Sequence, residues 1–175
     1  MTKRVFFDTD CISSFLWVDE RNVIEELFNA RIVIPEEVYE ELSNPRVPHL
    51  KEQTDKMIAN GHATVDAIEE GSSAFIIFNK LTNIQNRPII GKGEGAAIAL
   101  AYTGSGILAS NNLRDVKKYV KEYRLEHYTT LDILIMAEEK GILCETECES
   151  IWREMKQKGI MLPTGSYDEN KSLAK

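Results

Sequence analysis

The stretch that decides the fold is Val5-Phe6-Phe7-Asp8-Thr9-Asp10, near the start of a chain of 175 residues. Its apolar, β-prone residues predict a short buried strand, which an acidic residue follows directly. A second stretch of this kind lies in mid-chain: a short apolar strand is again followed by polar and acidic residues in Gly106-Ile107-Leu108-Ala109-Ser110-Asn111-Asn112-Leu113-Arg114-Asp115. In open parallel sheets, ligands bind beyond the carboxyl ends of the strands, where strand order reverses. If these two strands are neighbours, Asp8, Asn112 and Asp115 converge and form a set of oxygen ligands for a divalent cation.

Short apolar strands alternate with helices along most of the chain. Strands are predicted at residues 4–7, 31–34, 63–68 and 107–109, with an extended piece at 126–128. Helices are predicted at 12–18, 22–30, 36–42, 50–60, 72–81, 93–102, 113–123, 131–140 and 145–158. Such alternation predicts an α/β fold, a three-layer sandwich whose central parallel sheet has helices on both faces. We expect the first strand at its centre and the fourth beside it.

The length suits a single domain over residues 1–162, with a core at about 4–128, C-terminal helices at about 129–160 and a flexible tail at 163–175. No stretch approaches the roughly 20 apolar residues of a membrane span, and the N-terminus lacks the apolar region of a signal peptide. The three cysteines provide no disulfide framework. We therefore expect a cytoplasmic protein without membrane contact.

The net charge of −7 argues against broad electrostatic wrapping of nucleic acid, which needs clustered Lys and Arg. Nucleic acid remains compatible as a substrate, because bound metal ions offset the carboxylates that hold them. One local basic run follows the second acidic strand: Arg114, Lys117, Lys118, Lys121 and Arg124. A solvated helix face explains such a run more often than a phosphate track does.

Two further acidic residues lie on predicted helices, one beside a buried face and one in a first turn. Glu41 flanks the buried stripe that Val38 and Leu42 mark on one helix, whereas Glu40 points further away. Glu94 opens a helix of small residues. Taken singly, each carboxylate is more often a surface residue or a helix cap. Together with Asp8 and Asp115, however, they suit Mg²⁺ or Mn²⁺, which prefer hard oxygen ligands and activate water for attack on phosphorus.

Four blocks of the sequence, taken in order, resemble a PIN domain. They are Phe7-Asp8-Thr9-Asp10, Ile34-Pro35 with Val38-Tyr39-Glu40-Glu41-Leu42, Gly91-Lys92-Gly93-Glu94-Gly95-Ala96-Ala97, and Leu108-Ala109-Ser110-Asn111-Asn112-Leu113-Arg114-Asp115-Val116. The resemblance spans about residues 4–128, and residues 130–134 with the turn at 141–143 resemble the C-terminal extension of one PIN subgroup. It implies a nuclease that cuts RNA with Mg²⁺ or Mn²⁺. Since many prokaryotic members are toxins and PIN domains often pair, the implied partners are RNA, an antitoxin protein and a second copy of the chain.

The resemblance also implies roles for particular residues. The implied catalytic carboxylates are Asp8, Glu41, Glu94 and Asp115. Of these, Asp8, Glu94 and Asp115 are the implied metal ligands, and Ser110 and Asn112 are supporting or substrate-binding residues. Many relatives carry paired aspartates where this chain has Asn111-Asn112, a departure that bears on the second metal position and on activity.

Two other interpretations compete with the nuclease. Asp8-Thr9-Asp10 after a strand also resembles the start of a haloacid dehalogenase-type phosphatase, but that family needs a later acidic pair where this chain has Ser110-Asn111-Asn112. The second alternative is a catalytically impaired PIN-like module that binds RNA or protein. Its main support is the Asn111-Asn112 departure.

Overall fold

Among the residues that the structure describes, a sheet of five parallel strands forms the centre of the fold. The computed structural model describes residues 2–83, 85 and 90–174, with Leu113 and Asp115 described by their backbone alone. The strands are β1 (Val5–Phe7), β2 (Ile32–Pro35), β3 (Ala63–Asp66), β4 (Ile107–Ala109) and β5 (Glu126–Tyr128). Their order is β3-β2-β1-β4-β5, and every pairing is parallel. The predicted central position of β1 and its pairing with β4 are therefore confirmed.

Ten helices occur among the described residues. They are α1 (Thr9–Trp17), α2 (Arg21–Phe28), α3 (Glu36–Leu42), α4 (Pro48–Ala59), α5 (Ser73–Thr82), α6 (Lys92–Thr103), α7 (Leu113–Tyr123), α8 (Thr130–Glu139), α9 (Glu145–Gln157) and α10 (Tyr167–Ala174). Within the described part of the chain, none of them has the length and apolar character needed to cross a membrane.

The sheet separates two apolar clusters because side chains alternate between its faces. Phe6, Val33 and Leu108 lie in the smaller cluster, together with residues of α5, α6 and α7. Val5 and Phe7 lie in the larger cluster, with residues of α1, α2, α4, α8 and α9. Helices thus cover both faces, and the predicted three-layer α/β sandwich is confirmed.

Helix α1 begins at Thr9, three residues earlier than predicted. Asp8 is its N-cap: the carboxylate accepts a hydrogen bond from the backbone N–H of Cys11 at 2.7 Å. Aspartate is favoured there because its oxygen satisfies an otherwise unpaired N–H of the first turn. The extra turn places Thr9 and Asp10 at the same edge of the sheet as Asp8.

The expectation of a loose tail at residues 163–175 is wrong for Tyr167–Ala174, which form α10. Tyr167 is fully buried, and its hydroxyl donates a hydrogen bond to Glu138 of α8 at 2.6 Å. Lys171 pairs with the same carboxylate, also at 2.6 Å. Burial and the Glu138 contact raise the pKa of Tyr167 well above its ordinary value. One aromatic anchor and one shared carboxylate hold this helix, and neither produces apolar periodicity in the sequence.

Candidate active site

A cleft of about 240 Å³ opens at the carboxyl ends of β1 and β4. Its described lining consists of Asp8, Thr9, Asp10, Glu41, Gly91, Glu94 and Asn112. Four of these side chains are carboxylates, supplied by the end of β1 and by α1, α3 and α6, and no Lys or Arg is among the described lining. The cleft lies where strand order reverses on either side of β1, which is the expected position of a ligand site in such a sheet.

Asp8 lies at the bottom of the cleft and is only 2% exposed. Burial raises its pKa from the ordinary 3.8 to about 7, although hydrogen bonds from the Ser110 side chain and the Cys11 N–H act in the opposite direction. The negative charges of Asp10 and Glu41 raise the pKa further. Near neutral pH the ionised form is therefore costly, and a nearby cation would favour it.

Glu41 connects three helices at the mouth of the cleft. One of its carboxylate oxygens accepts the backbone N–H of Gly93 at 3.1 Å, and the other accepts the hydroxyl of Thr9. These contacts join α3 to α6 and α1. Glu40, its exposed neighbour on α3, is not among the lining residues. Val38 and Leu42 mark the buried side of α3, and Glu41 beside them lies at the cleft.

The three residues after β4 do not all face the cleft. Ser110 is buried next to Asp8, and Asn112 lines the cleft. The amide group of Asn111 instead donates to the Ser14 hydroxyl at 3.2 Å, and its oxygen accepts the N–H of Thr130 at 2.9 Å. Asn111 therefore joins the end of β4 to α1 and α8. Of the two neighbouring asparagines, only Asn112 belongs to the described lining of the cleft.

Comparison with known protein families identifies the family of this chain. The model of the DUF3368 family, described as a PIN domain, matches residues 4–175. The chain belongs to the PIN domain family. No match was found among curated proteins or among solved structures. PIN domains are generally nucleases and typically use divalent metal ions. The family match covers α8, α9 and α10 as well as the motif blocks, and it leaves the phosphatase interpretation without support.

The fourth predicted carboxylate of this PIN domain is Asp115. Asp115 belongs to the first turn of α7, but its side chain is outside the described residues. The predicted approach of Asp8 and Asp115 therefore stays a prediction. Among the side chains that the structure describes, no three from His, Cys, Asp and Glu are arranged to hold one metal ion.

Two cleft residues of the PIN domain, Thr9 and Asp10, were missing from the site predicted from sequence. Asp10 entered that prediction only through the phosphatase alternative, and Thr9 had no role. Asp10 has a raised pKa, caused first by burial and then by the charge of Glu41. The available signal was the capping preference of Asp8, which starts α1 at Thr9 and turns both side chains towards the cleft.

Gly93 allows the start of α6 to approach Glu41 closely. A Cβ atom at this position would lie 2.7 Å from the Thr9 hydroxyl oxygen and 2.9 Å from a Glu41 carboxylate oxygen. We expect Gly93→Ala to displace the Glu41 carboxylate and to reduce the nuclease activity typical of the family about tenfold, a loss of about 1.4 kcal/mol of transition-state stabilisation. Stability should change little, because the exposed Glu41 side chain can move and alanine is favoured by about 1 kcal/mol inside helices.

The measurement is the cleavage rate and the melting temperature of Gly93→Ala beside those of the wild type. Normal cleavage would contradict the assigned position of Glu41. A melting temperature lowered by more than about 5 °C, which is over 1 kcal/mol for a chain of this length, would show that the contact mainly supports the fold.

Proposed function

We propose that this PIN domain is a Mg²⁺- or Mn²⁺-dependent ribonuclease that hydrolyses the phosphodiester bonds of RNA. The observation that supports it most is the cleft at the β1–β4 edge, where Asp8, Glu41 and Glu94 come together from distant parts of the sequence. A carboxylate as buried as Asp8 is unusual unless a cation or a proton accompanies it.

The chemistry of the donors suits a hard divalent cation. Asp8 and Glu94 offer carboxylate oxygens, Asn112 offers an amide oxygen, and no Cys or His belongs to the described lining. Oxygen-only sets of this kind are preferred by Mg²⁺ and Mn²⁺. We propose Asp8, Glu94 and Asp115 as the metal ligands. When bound, such a cation offsets the charge that develops on the phosphate and makes an attacking water more acidic.

The residues of the chain have separate tasks in this proposal. The Cys11 N–H and the Ser110 hydroxyl hold the Asp8 carboxylate in one orientation. Gly93 and Thr9 likewise hold both oxygens of Glu41, so its negative charge stays at the mouth of the cleft. Fixed orientation limits the reorganisation that the reaction requires.

A finer proposal is that this ribonuclease is the toxin of a toxin–antitoxin pair and acts as a homodimer. Its support is the resemblance to prokaryotic toxin-like members of the family. The test is whether a small protein encoded beside this chain co-purifies with it and suppresses cleavage. Cleavage that the neighbouring protein leaves unchanged would remove the antitoxin from the proposal, and a monomer in solution would remove the dimer.

Exchange of Glu41 for glutamine tests the ribonuclease directly. In Glu41→Gln, the amide oxygen can still accept the Gly93 N–H while the amide nitrogen donates to the Thr9 hydroxyl, so mainly the charge is lost. We expect metal-dependent cleavage of single-stranded RNA to fall roughly 10- to 100-fold, up to the lower end of the roughly 100- to 1000-fold losses found for single electrostatic groups. The assay compares rates in Mn²⁺ and in EDTA.

The matched control is Glu40→Gln, which removes the same charge from the exposed side of α3. Its rate should stay within about twofold of the wild type, since it lies outside the cleft lining. Equal losses in both variants would indicate a general charge effect. If the wild type cuts no RNA in Mn²⁺ or Mg²⁺, the non-catalytic module becomes the better description.

A further inference from the structure

A groove of about 730 Å³ adjoins the cleft and shares Asp10 and Asn112 with it. Its other lining residues come from α1, from Asn111 after β4, from the start of α7 and from the segment between α9 and α10. Those that matter here are Trp17, Arg114, Lys158, Ile160, Met161 and Pro163. An acidic cleft thus continues into a groove that has apolar surface and two cationic side chains.

The segment at residues 158–163, which forms one wall, is set in place by a turn at Gly159. Gly159 has a φ of +80°, a conformation that glycine adopts without strain. Its N–H donates to the backbone carbonyl of Lys156 at 3.0 Å, and the N–H of Ile160 donates to the backbone carbonyl of Met155 at 3.1 Å. These two bonds form the Schellman pattern at the end of a helix. Ile160 and Leu162 then pack against the main core, while Met161 is 91% exposed.

We propose that this groove binds the single-stranded RNA next to the phosphate that is cut, a proposal that rests on the ribonuclease function above. Nucleobases pack against Trp17 and Met161, and backbone phosphates lie near Arg114 and Lys158. Unpaired bases packed on apolar and aromatic side chains, with cations along the backbone, are the usual means of binding single strands. A duplex keeps its bases in the stack and cannot use this surface.

The charges of the groove agree with an RNA backbone. Neither Arg114 nor Lys158 forms an ion pair with another side chain in the described part of the chain. The only carboxylate among the described lining residues is Asp10, which the groove shares with the cleft. On the other wall, His49 packs against the Trp17 ring at a centroid distance of 4.6 Å and limits its rotation. The groove therefore offers an aromatic ring braced by His49 and two cationic side chains.

The test measures RNA binding with and without the groove side chains. A fluorescent single-stranded RNA of about eight nucleotides, within the usual footprint of one small domain, is titrated with full-length Asp8→Asn protein, which should not cut it. The double change Lys158→Ala and Met161→Ala, added to that protein, should raise Kd about tenfold. It should also reduce the slope of log Kd against log salt by about 0.7, the value for one lost phosphate contact on a single strand. Both side chains are exposed, so the melting temperature should not change.

A matched control removes one lysine and one large exposed apolar side chain elsewhere. Lys121 of α7 and Leu173 of α10 are exposed and lie outside both the groove and the cleft. The control pair Lys121→Ala and Leu173→Ala should leave Kd within about twofold, because exposed charges far from the ligand contribute little. Duplex RNA of the same sequence should compete weakly.

The outcomes separate the groove from the catalytic proposal. An unchanged Kd in the groove variant, equal weakening by the control pair, or no binding of RNA overturns the groove. Metal-dependent cleavage by the wild type together with an unchanged Kd would leave the ribonuclease standing without it. Weakened binding in the groove variant, with no cleavage by the wild type under any metal, would support the groove and refute the ribonuclease.

Discussion

Asp8→Asn is expected to reduce RNA cleavage at least about 1000-fold, the upper range for loss of one electrostatic group at a reacting centre. Asparagine keeps the shape of the side chain and one oxygen, and it is as good an N-cap as aspartate. The Cys11 N–H, which now donates to Asp8, therefore keeps an acceptor. What disappears is the negative charge proposed to hold the cation. Rates of the purified variant in Mn²⁺, with EDTA as the blank, measure the loss.

The same change should stabilise the metal-free protein above neutral pH. The pKa of Asp8 is about 7 in the folded state, against an ordinary value of 3.8. Between these two pH values the folded state binds more protons than the unfolded state, so stability from this group falls as pH rises from about 4 to about 7. Above pH 7 the buried Asp8 carboxylate is ionised, and its burial lowers the free energy of unfolding by its full amount, at most about 4 kcal/mol. Asparagine does not ionise and avoids this loss.

Urea unfolding in EDTA at pH 5 and pH 8 measures this effect as a difference between the variant and the wild type. The difference in the free energy of unfolding should be more favourable to Asp8→Asn at pH 8 than at pH 5. A variant that is equally or less stable at pH 8 would show that the hydrogen bonds of the carboxylate outweigh its burial. Undiminished cleavage would mean that the activity comes from elsewhere, and the metal-nuclease proposal would fall.

Millimolar Mn²⁺ or Mg²⁺ is expected to raise the melting temperature of the wild type by about 5–10 °C. The carboxylates of Asp8, Asp10 and Glu41 repel one another in the cleft, and their mutual repulsion favours any cation that binds there. A ligand present at 100 times its Kd stabilises the native state by about 2.7 kcal/mol. For a chain of this length, 1 kcal/mol shifts the melting temperature by about 2–4 °C.

The metal effect should be larger at pH 8 than at pH 6, because Asp8 must lose its proton to bind a cation. NaCl at equal ionic strength is the control for screening of the carboxylates. Asp8→Asn should lose most of the shift. Melting temperatures that do not respond to either cation would argue that the cleft holds no metal, whatever the outcome of the cleavage assay.

Local signals in the sequence determined the sheet and its central acidic residue. The bounds of β4, α7 and β5 agree with the prediction, because apolar runs and helical periodicity depend on neighbouring residues. The position of Asp8 at the end of β1 follows from the same signals. The predicted buried side of α3, marked by Val38 and Leu42, is also confirmed, and Glu41 beside it lines the cleft.

Other features were decided only by contacts between distant parts of the chain. Asn111 and Asn112 are neighbours in sequence, yet only the contacts of Asn111 with Ser14 and Thr130 show that it lies outside the described cleft lining. Similarly, α10 depends on the contact of Tyr167 with Glu138, and the wall of the groove depends on how residues 158–163 lie against α1. Propensity and periodicity describe interactions a few residues apart. Which side chains share a cleft is set by packing across the sheet, because burial is a property of the folded surface.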